Sequence, residues 1–568
     1  MKALRGKSGV LASLLFLLLL PACGGNASTP PDAPIPAAAS SASAPTALPA
    51  PAHEPWTLTI LHTNDVHSRI DLVKDGDGPD VGGVIRRKAV VDRVRRERGA
   101  DGVLLVDAGD FSTGTVWYPV WGGAESVFAM NALGYDAITL GNHEFDSGVD
   151  HLSHVLRGGT WSVLGTERTT QKLAAQVVVS NLDVSGSSSM RDVLVPRAIV
   201  RRGKERVGIV GALTDALPES VEREGVRVLP YVESVQKQVD ALAKEGVDKI
   251  VLVSHCGTKV DIANAPSIAG VDVIVAGHDH GLFGDATLLE ASGLAKSVAA
   301  QRKGDYPLHL TGKDGAPVLL VSAFAWGRIL GRVDVTFDGA GHIEKAQGAP
   351  IVLSSAASDP TLTATLDAMH APVRALGDKK IAVLPRALRR ASQGQSELGV
   401  TFADALLGAG KKDGAVAALA EGDARADLAE GQLSYGKLYE AWPFASKIFI
   451  IELTGAELTR AVAHGLALEP PLQLAGMTAK IAPAQTPGQD AKVLDLRIGG
   501  RPVVATGRYS IAVDDWIAGG GDGFTWFKNA AKKKVSLMQV LDAMVAELSA
   551  HPAASRTPEK RVSVVAAP

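Results

Sequence analysis

Residues 137–146 read AITLGNHEFD: a short apolar run, then a glycine, then a burst of polar and ionisable side chains. A run this short, bounded by a glycine, predicts a buried strand, and the residues after it then lie at the strand's carboxyl end. The pattern recurs in both directions along the chain. Upstream, Leu58–Leu61 is followed by HTND and Val103–Val106 by DAGD. Downstream, Val177–Val179 is followed by SNLD, Ile250–Val253 by SHCG and Val271–Val275 by AGHDH, with Val207–Val210 a further run of the same kind. Helix-like stretches separate these runs. Buried runs alternating with helices argue for an α/β domain whose sheets are covered by helices. Open α/β sheets build their sites at the carboxyl ends of strands, so the polar bursts read as an active-site rim.

The rim residues that carry chemistry are Asp65 and His67, Asp110, Asn142 and His143 with Asp146, His255, and His278 with His280. Carboxylate plus imidazole is the ligand mix for Zn²⁺, Mn²⁺ or a similar first-row cation. A single histidine at a strand end is ordinarily a hydrogen-bonded structural residue. Five short motifs, each closing an expected strand, are not explained that way. Structural zinc sites are closed, single and rich in cysteine; these ligands are oxygen and nitrogen, so catalysis is the better reading.

NDxH at 64–67, GDxxxG at 109–114, GNHE at 141–144 and GHxH at 277–280, in this order, resemble the signature of calcineurin-like metallophosphoesterases. The fuller forms GNHEFD and GHDH, with the C-terminal half, are similar to the bacterial 5′-nucleotidase / UDP-sugar hydrolase family. The resemblance implies a four-layer α/β metallophosphoesterase sandwich with a second, α+β substrate-binding domain. It implies two divalent cations, one held by Asp65, His67, Asp110 and His280, the other by Asp110, Asn142, His255 and His278, with Asp110 bridging. In some relatives a glutamine stands at the position of His280. Two such cations bring four positive charges and Asp65 and Asp110 return two negative ones, an excess suited to a phosphate ester. His143 and Asp146 lie outside that ligand set. His143 then stabilises the transferring phosphoryl group or the leaving oxygen, and Asp146 orients its imidazole; Asp146 is equally placed to cap a following helix.

Three C-terminal segments extend the resemblance. Trp442-Pro443-Phe444-Ala445-Ser446 stands where the family has PFGN, and Gly422-Asp423-Ala424-Arg425 where it has a GGxxR-like sequence. Tyr509–Trp516 leads into the glycine-rich Gly519–Phe524. By this resemblance Phe444 and Trp516 flank a nucleobase, Asp522 accepts a hydrogen bond from the ligand and Arg425 contacts its phosphate or ribose. Stacking on an aromatic face is worth about 1–3 kcal/mol per base and suits any base. Read without the family, an aromatic beside proline is core and GGGDGF is a tight turn. Two departures stand out: Ser446 replaces the family's asparagine, and its arginine before a glutamate is displaced here to Arg389 or Arg390.

The chain has 568 residues, 46% hydrophobic and 21% charged, with a net charge of −3, enough for several cores and without the basic face that nucleic acid requires. Its one basic run, Arg86–Arg98, is interrupted by Val90, Val91 and Val94 at helical spacing and predicts a solvated helix face. Lys2, Arg5 and Lys7 precede an apolar run, Val10–Leu20, too short to span a bilayer, which ends in Leu20-Pro21-Ala22-Cys23. That ending resembles a bacterial lipobox, so Cys23 is the expected lipid attachment point and the membrane an expected partner. Lipidation leaves Cys256 without a disulfide partner, as a small buried residue. The expected domains are an export signal at 1–23, an Ala/Pro/Ser tether at 24–55, the phosphoesterase domain at 56–355, a linker helix at 356–378, the C-terminal nucleotide-binding domain at 379–550 and a tail at 551–568. The expected protein is an exported 5′-nucleotidase of the cell envelope, on the periplasmic or outer-membrane face or else secreted. Nucleotide or a related phosphate ester is its substrate, and no obligate protein partner is evident. Related activities share the metal site: 2′,3′-cyclic phosphodiesterase with 3′-nucleotidase, and UDP-sugar hydrolase. A binding lipoprotein on a decayed scaffold would have lost ligands, and all are present.

Overall fold

The computed structural model describes residues 54–565 apart from 75–77, 164, 218–220, 222–223, 392, 421–423, 445, 484–488, 529, 531 and 555–557. The export signal, Cys23, the tether up to residue 53, and Gly422 and Asp423 lie outside the described residues.

Two sheets form the first half. One runs in the order Ile343–Gly348, Ile329–Phe337, Trp56–Thr63, Val103–Asp107, Ala137–Ile138, Gln176–Val177, with Ile351–Val352 added beside Ile329–Phe337. The other runs Arg197–Arg202, Glu205–Leu213, Lys249–His255, Val273–Ala276, Pro317–Val321, Leu308–Thr311. Central pairings are parallel, with Leu61 opposite Leu105 and Val253 opposite Val275. Alternate residues of a strand point to opposite faces, and the packing follows that period of two. Leu58, Ile60, Leu104 and Val106 meet Ile209, Val251, Val253 and Val275 in one cluster between the sheets. On the outer face of the first sheet, Leu61 and Leu105 pack on Val91 and Val94 of the helix Val84–Arg98 and Val127 and Met130 of the helix Ala124–Leu133. On the outer face of the second, Val210, Leu252 and Ile274 pack on Val235, Val239 and Leu242 of the helix Tyr231–Lys244. Helix, sheet, sheet, helix: four layers, as expected.

The helix Pro360–Gly377 leads into the second half. Asp359 caps it by accepting the Leu362 N–H, with Pro360 in the first turn. Trp117 stacks on His370, and the Trp121 indole donates to the Met369 carbonyl, so this helix is seated on the phosphoesterase half. Beyond it lies a five-stranded sheet, Gln473–Ala475, Ala417–Ala420, Arg508–Asp514, Lys447–Thr454, Lys533–Gln539, and a four-stranded one containing Lys492–Ile498 and Met477–Ala482. A capping box between Thr454 and Glu457 is formed in both directions and opens the helix Gly455–Gly465. One apolar cluster joins Leu61 and Trp117 of the first half to Leu366, Phe402 and Trp442 of the second.

The basic run departs from expectation at one residue. Arg87 is buried beneath Gly327, where a Cβ would overlap its guanidinium, so the helix is not solvated along the whole run. The expected strand Ala137–Leu140 is also shorter, because the chain leaves the sheet after Ile138 to enter the GNHE turn. Replacing Ile60 by alanine hollows the layer between the sheets. Urea unfolding at fixed cation concentration is expected to show a loss of about 2–5 kcal/mol.

Candidate active site

Five strand ends converge. Asp65 and His67 follow Trp56–Thr63, Asp110 follows Val103–Asp107, and Asn142 and His143 follow Ala137–Ile138. His255 ends the strand Lys249–His255, and His278 and His280 follow Val273–Ala276. Five of these residues hold left-handed backbone, with φ of 51° at Asp65, 50° at His67, 56° at Asp110, 81° at His278 and 49° at His280. Non-glycine residues adopt this region at a cost, and such costs cluster at functional sites.

The ligand atoms fall into two groups, Asp65 with His67 and His280, and Asp110 with His255 and His278, each within 4.8 Å. Asp110 stands between them: its Oδ2 is 3.1 Å from His255 Nε2 and 3.9 Å from His67 Nε2. Its other oxygen accepts the His143 backbone N–H at 3.0 Å. The imidazoles are oriented from behind. His255 Nδ1–H donates to the Ala108 carbonyl at 2.6 Å and His67 Nδ1–H to that of Ser112 at 3.3 Å, turning both Nε2 atoms inward. His67 Nε2 and His280 Nε2 lie 3.2 Å apart. Burial drives His67 down to about 3 and His278 to about 4, so these rings are neutral, the form that ligates. Asn142 Oδ1 and His255 Nε2 are buried without a hydrogen-bond partner, an arrangement that a cation would satisfy. The donor set and these orphaned atoms fit two divalent cations.

His143 is separate from both groups. Its Nδ1–H donates to Asp146 Oδ2 at 2.9 Å. Burial alone would lower this imidazole, but Asp146 and then Asp110 outweigh it and raise it to about 9. Asp146 does not cap the next helix, Val149–Arg157. That task falls to Glu224, whose carboxylate accepts the Val149 N–H at 2.7 Å.

Two residues that sequence reasoning passed over hold the rim together. Glu144, inside the GNHE motif, accepts the backbone N–H groups of Asp110, Ser112 and Gly141, at 2.9, 2.9 and 2.6 Å. It thereby ties the Asp110 turn to the Asn142 turn. Asn64 donates to Asp65 Oδ2 and the Phe324 carbonyl, both at 2.6 Å, and accepts the Ala323 N–H at 2.7 Å. A usable signal existed for both: a strongly polar residue next to a ligand, with no chemistry of its own.

The second half closes the site. A cleft of about 370 Å³ is lined by Asp110, Asn142, His143, Asp146, His278 and His280 on one side and by Arg425, Phe444, Trp516 and Asp522 on the other. Phe444 stacks on His143 with ring centroids 5.7 Å apart, and the Arg425 guanidinium lies 5.3 Å over Phe444. The Trp516 indole N–H donates to Asp522 Oδ2 at 3.0 Å. Ser446 also lines the cleft, as do Asp279 and Asp515, which the sequence reading did not single out. The displaced arginines are elsewhere. Arg390 pairs with Asp427 at 3.1 Å and donates to the Arg425 carbonyl at 2.8 Å, bracing the loop that carries Arg425, and Arg389 lines a separate groove with it. Cys256 is buried, and burial pushes its thiol up, which suits packing rather than nucleophilic attack.

A four-layer sandwich with two adjacent oxygen–nitrogen ligand groups is the arrangement of a calcineurin-like phosphoesterase, and residues 58–282 match that family. Residues 376–529 match the 5′-nucleotidase C-terminal domain. The 5′-nucleotidase of Bos taurus is 30% identical over 521 residues, covering 85% of this chain and 86% of that one. That of Homo sapiens is 30% identical over 84% of this chain and 86% of its own. The crystal structure of the 5′-nucleotidase precursor from Thermus thermophilus superimposes with a TM-score of 0.74 at 30% identity, covering 90% of this chain and all of that one. The chain belongs to the 5′-nucleotidase family. It is a phosphoric ester hydrolase, with two divalent cations as cofactors.

Gly141 packs so closely that a Cβ would overlap Asp110 Oδ1 and crowd His255 Nε2. Gly141→Ala is therefore expected to lose the cation shared by Asp110, His255 and His278. Metal analysis of the purified variant should return no more than one equivalent.

Proposed function

We propose that this protein is an exported, metal-dependent 5′-nucleotidase that converts nucleoside monophosphates to nucleoside and phosphate. The observation that carries the reading is one cleft in which His143, with Asp110 and His278 of one ligand group and His280 of the other, lies across from Phe444 and Trp516. A phosphate at the first end and a base against the aromatic rings at the other is the division of labour such a cleft supports.

Hydrolysis breaks the ester P–O bond. Water supplies the oxygen that stays on phosphate and the proton that ends on the 5′-hydroxyl. When bound, the two cations supply positive charge beside the phosphoryl oxygens and make a water a better nucleophile. His143, held on one side by Asp146, has Nε2 left to donate toward the phosphoryl or leaving oxygen. Arg425 adds a cation on the opposite wall, and Phe444 and Trp516 offer faces for the base at about 1–3 kcal/mol per stack.

The remaining carboxylates favour a monoester over a UDP-sugar. Asp279, Asp515 and Asp522 also line the cleft, and a second phosphate placed beyond the cations would meet them. Arg425 is the guanidinium in the described lining to oppose them. Export rests on the basic start, the apolar run Val10–Leu20 and Cys23, with a lipid on Cys23 holding the chain at the cell envelope. Among the described residues no helix is long and apolar enough to cross a membrane.

With Mn²⁺, Zn²⁺ or Co²⁺ supplied, hydrolysis of AMP, read as adenosine, should exceed hydrolysis of UDP-glucose, read as UMP plus uridine, by at least about tenfold in kcat/KM, a difference of about 1.4 kcal/mol. No hydrolysis of any nucleotide by metal-loaded protein overturns the reading. His143→Ala is expected to keep both cations and lose about 10²–10⁴ of kcat; an emptied site instead would make His143 a ligand. Trp516→Ala should raise KM for AMP about tenfold, the effect of losing one stack, with a small aryl phosphate little affected. For the anchor, Cys23→Ala should move the protein from the membrane fraction to the soluble one.

A further inference from the structure

The turn beside Trp516 is built between two rings. Gly521–Gly523 form one turn of 3-10 helix in which Asp522 takes φ 49° and ψ 27°, and a Cβ on Gly521 would overlap the Trp516 indole. Asp522 is thus a non-glycine residue in left-handed backbone, a conformation that persists only where its surroundings hold it. Its carboxylate is held by the Trp516 indole N–H at 3.0 Å. Its carbonyl is held from the other side by His464, whose Nε2 lies 2.7 Å away and must donate, since a carbonyl only accepts. The other ring nitrogen of His464 faces Asp490 Oδ1 at 2.9 Å. The ring is steadied edge-on by Phe524 at 5.0 Å and Trp526 at 5.5 Å, and a Cβ on Gly523 would sit 2.9 Å from its Nε2. His464 rides the last turn of the helix Gly455–Gly465, whose start is fixed by the Thr454–Glu457 capping box.

We propose that His464, oriented by Asp490, is a positioning residue for substrate binding: it clamps the Asp522 carbonyl and through Asp522 sets the tilt of the Trp516 ring against the cleft. Neither His464 nor Asp490 lines the cleft, so neither touches substrate. Their effect reaches it through the Asp522 carbonyl, and so through the carboxylate that the Trp516 indole holds. The proposal rests on the reading above that a base stacks on Trp516.

The test compares AMP with a small aryl phosphate on the metal-loaded full-length protein. His464→Leu, which fills the same space without a donor, is expected to raise KM for AMP on the order of tenfold, most of the worth of one stack. Its kcat for the aryl phosphate and its Tm should stay close to those of the parent protein. His464→Gln, which keeps an N–H of similar reach, should recover most of the affinity, and Asp490→Asn should lose part of it. Introduced into Trp516→Ala, His464→Leu should add much less than it does alone, since the ring it positions is gone and only the Asp522 carboxylate remains to be moved. An unchanged KM for AMP in His464→Leu overturns the proposal, and so does full additivity with Trp516→Ala. If Trp516→Ala itself leaves KM for AMP unchanged, the nucleotide-platform reading fails first, an outcome distinct from failure of the clamp.

Discussion

Everything at this site hangs on one carboxylate. Asp110 stands between the two ligand groups, its Oδ2 3.1 Å from His255 Nε2 and 3.9 Å from His67 Nε2, in a buried position where an uncompensated negative charge is costly. His255 and then His143 oppose the burial and hold Asp110 well below the ordinary carboxylate range, so it is present as an anion. Its backbone sits in the left-handed region, and the Glu144 carboxylate holds its N–H there. Glu144 takes the Gly141 N–H on the same oxygen, so the turn bearing Asp110 and the turn bearing Asn142 and His143 share one anchor. The sandwich exists, in this sense, to bring the ends of two separate sheets to a point that one side chain can span. Three of the five strand ends belong to the first sheet and two to the second.

That geometry explains why the two halves of the chain divide their labour. The phosphoesterase half spends its polar groups on cations and on the hydrogen bonds that orient them, and it places histidine rings rather than a broad aromatic face at the cleft. The face comes from the other half, on Phe444 and Trp516. Phe444 reaches across to stack on His143, so the ring expected to meet a base also touches the imidazole expected to meet the phosphate. Trp442 beneath it is fully buried against Phe402, 4.5 Å between centroids, which fixes the segment that presents Phe444.

The residues that come together in the two ligand groups were legible in the sequence because each lies at or just past a strand end, and a strand end is visible as an apolar run that stops. What acts on those ligands at one remove was not. Glu144 and Asn64 have only their polarity beside a ligand to mark them, since most of their partners are backbone groups that carry no signature of their own. The role of Asp146 was ambiguous between capping and orienting until Glu224, distant in sequence, was found on the helix terminus. Among strands, Ile329–Phe337 escaped notice although it lies beside the first strand, since Arg332 and Asp334 interrupt its apolar pattern. They are tolerated because they pair with each other and Asp334 accepts from Thr59. Arg87 was assigned to a solvated face because nothing local to a helix reveals that a glycine 240 residues later leaves room for a guanidinium.

Substrate choice is harder to read than reaction class for the same physical reason. A cation is recognised by a few atoms at close range, so conserving the chemistry means conserving residue types at set places in short motifs. A stacking platform demands only a flat ring at the right tilt, and the tilt is decided by contacts behind the ring. Trp516 is held by Asp522, and Asp522 by His464, 58 residues away in the chain. The arginine that looked displaced turned out to brace the loop carrying Arg425 from outside the cleft. In both cases a residue that lines the cleft is held by one behind it that does not. Differences in substrate preference among chains with this cation site should therefore be sought one layer behind the aromatic rings, where a change moves the ring without altering any residue that lines the cleft.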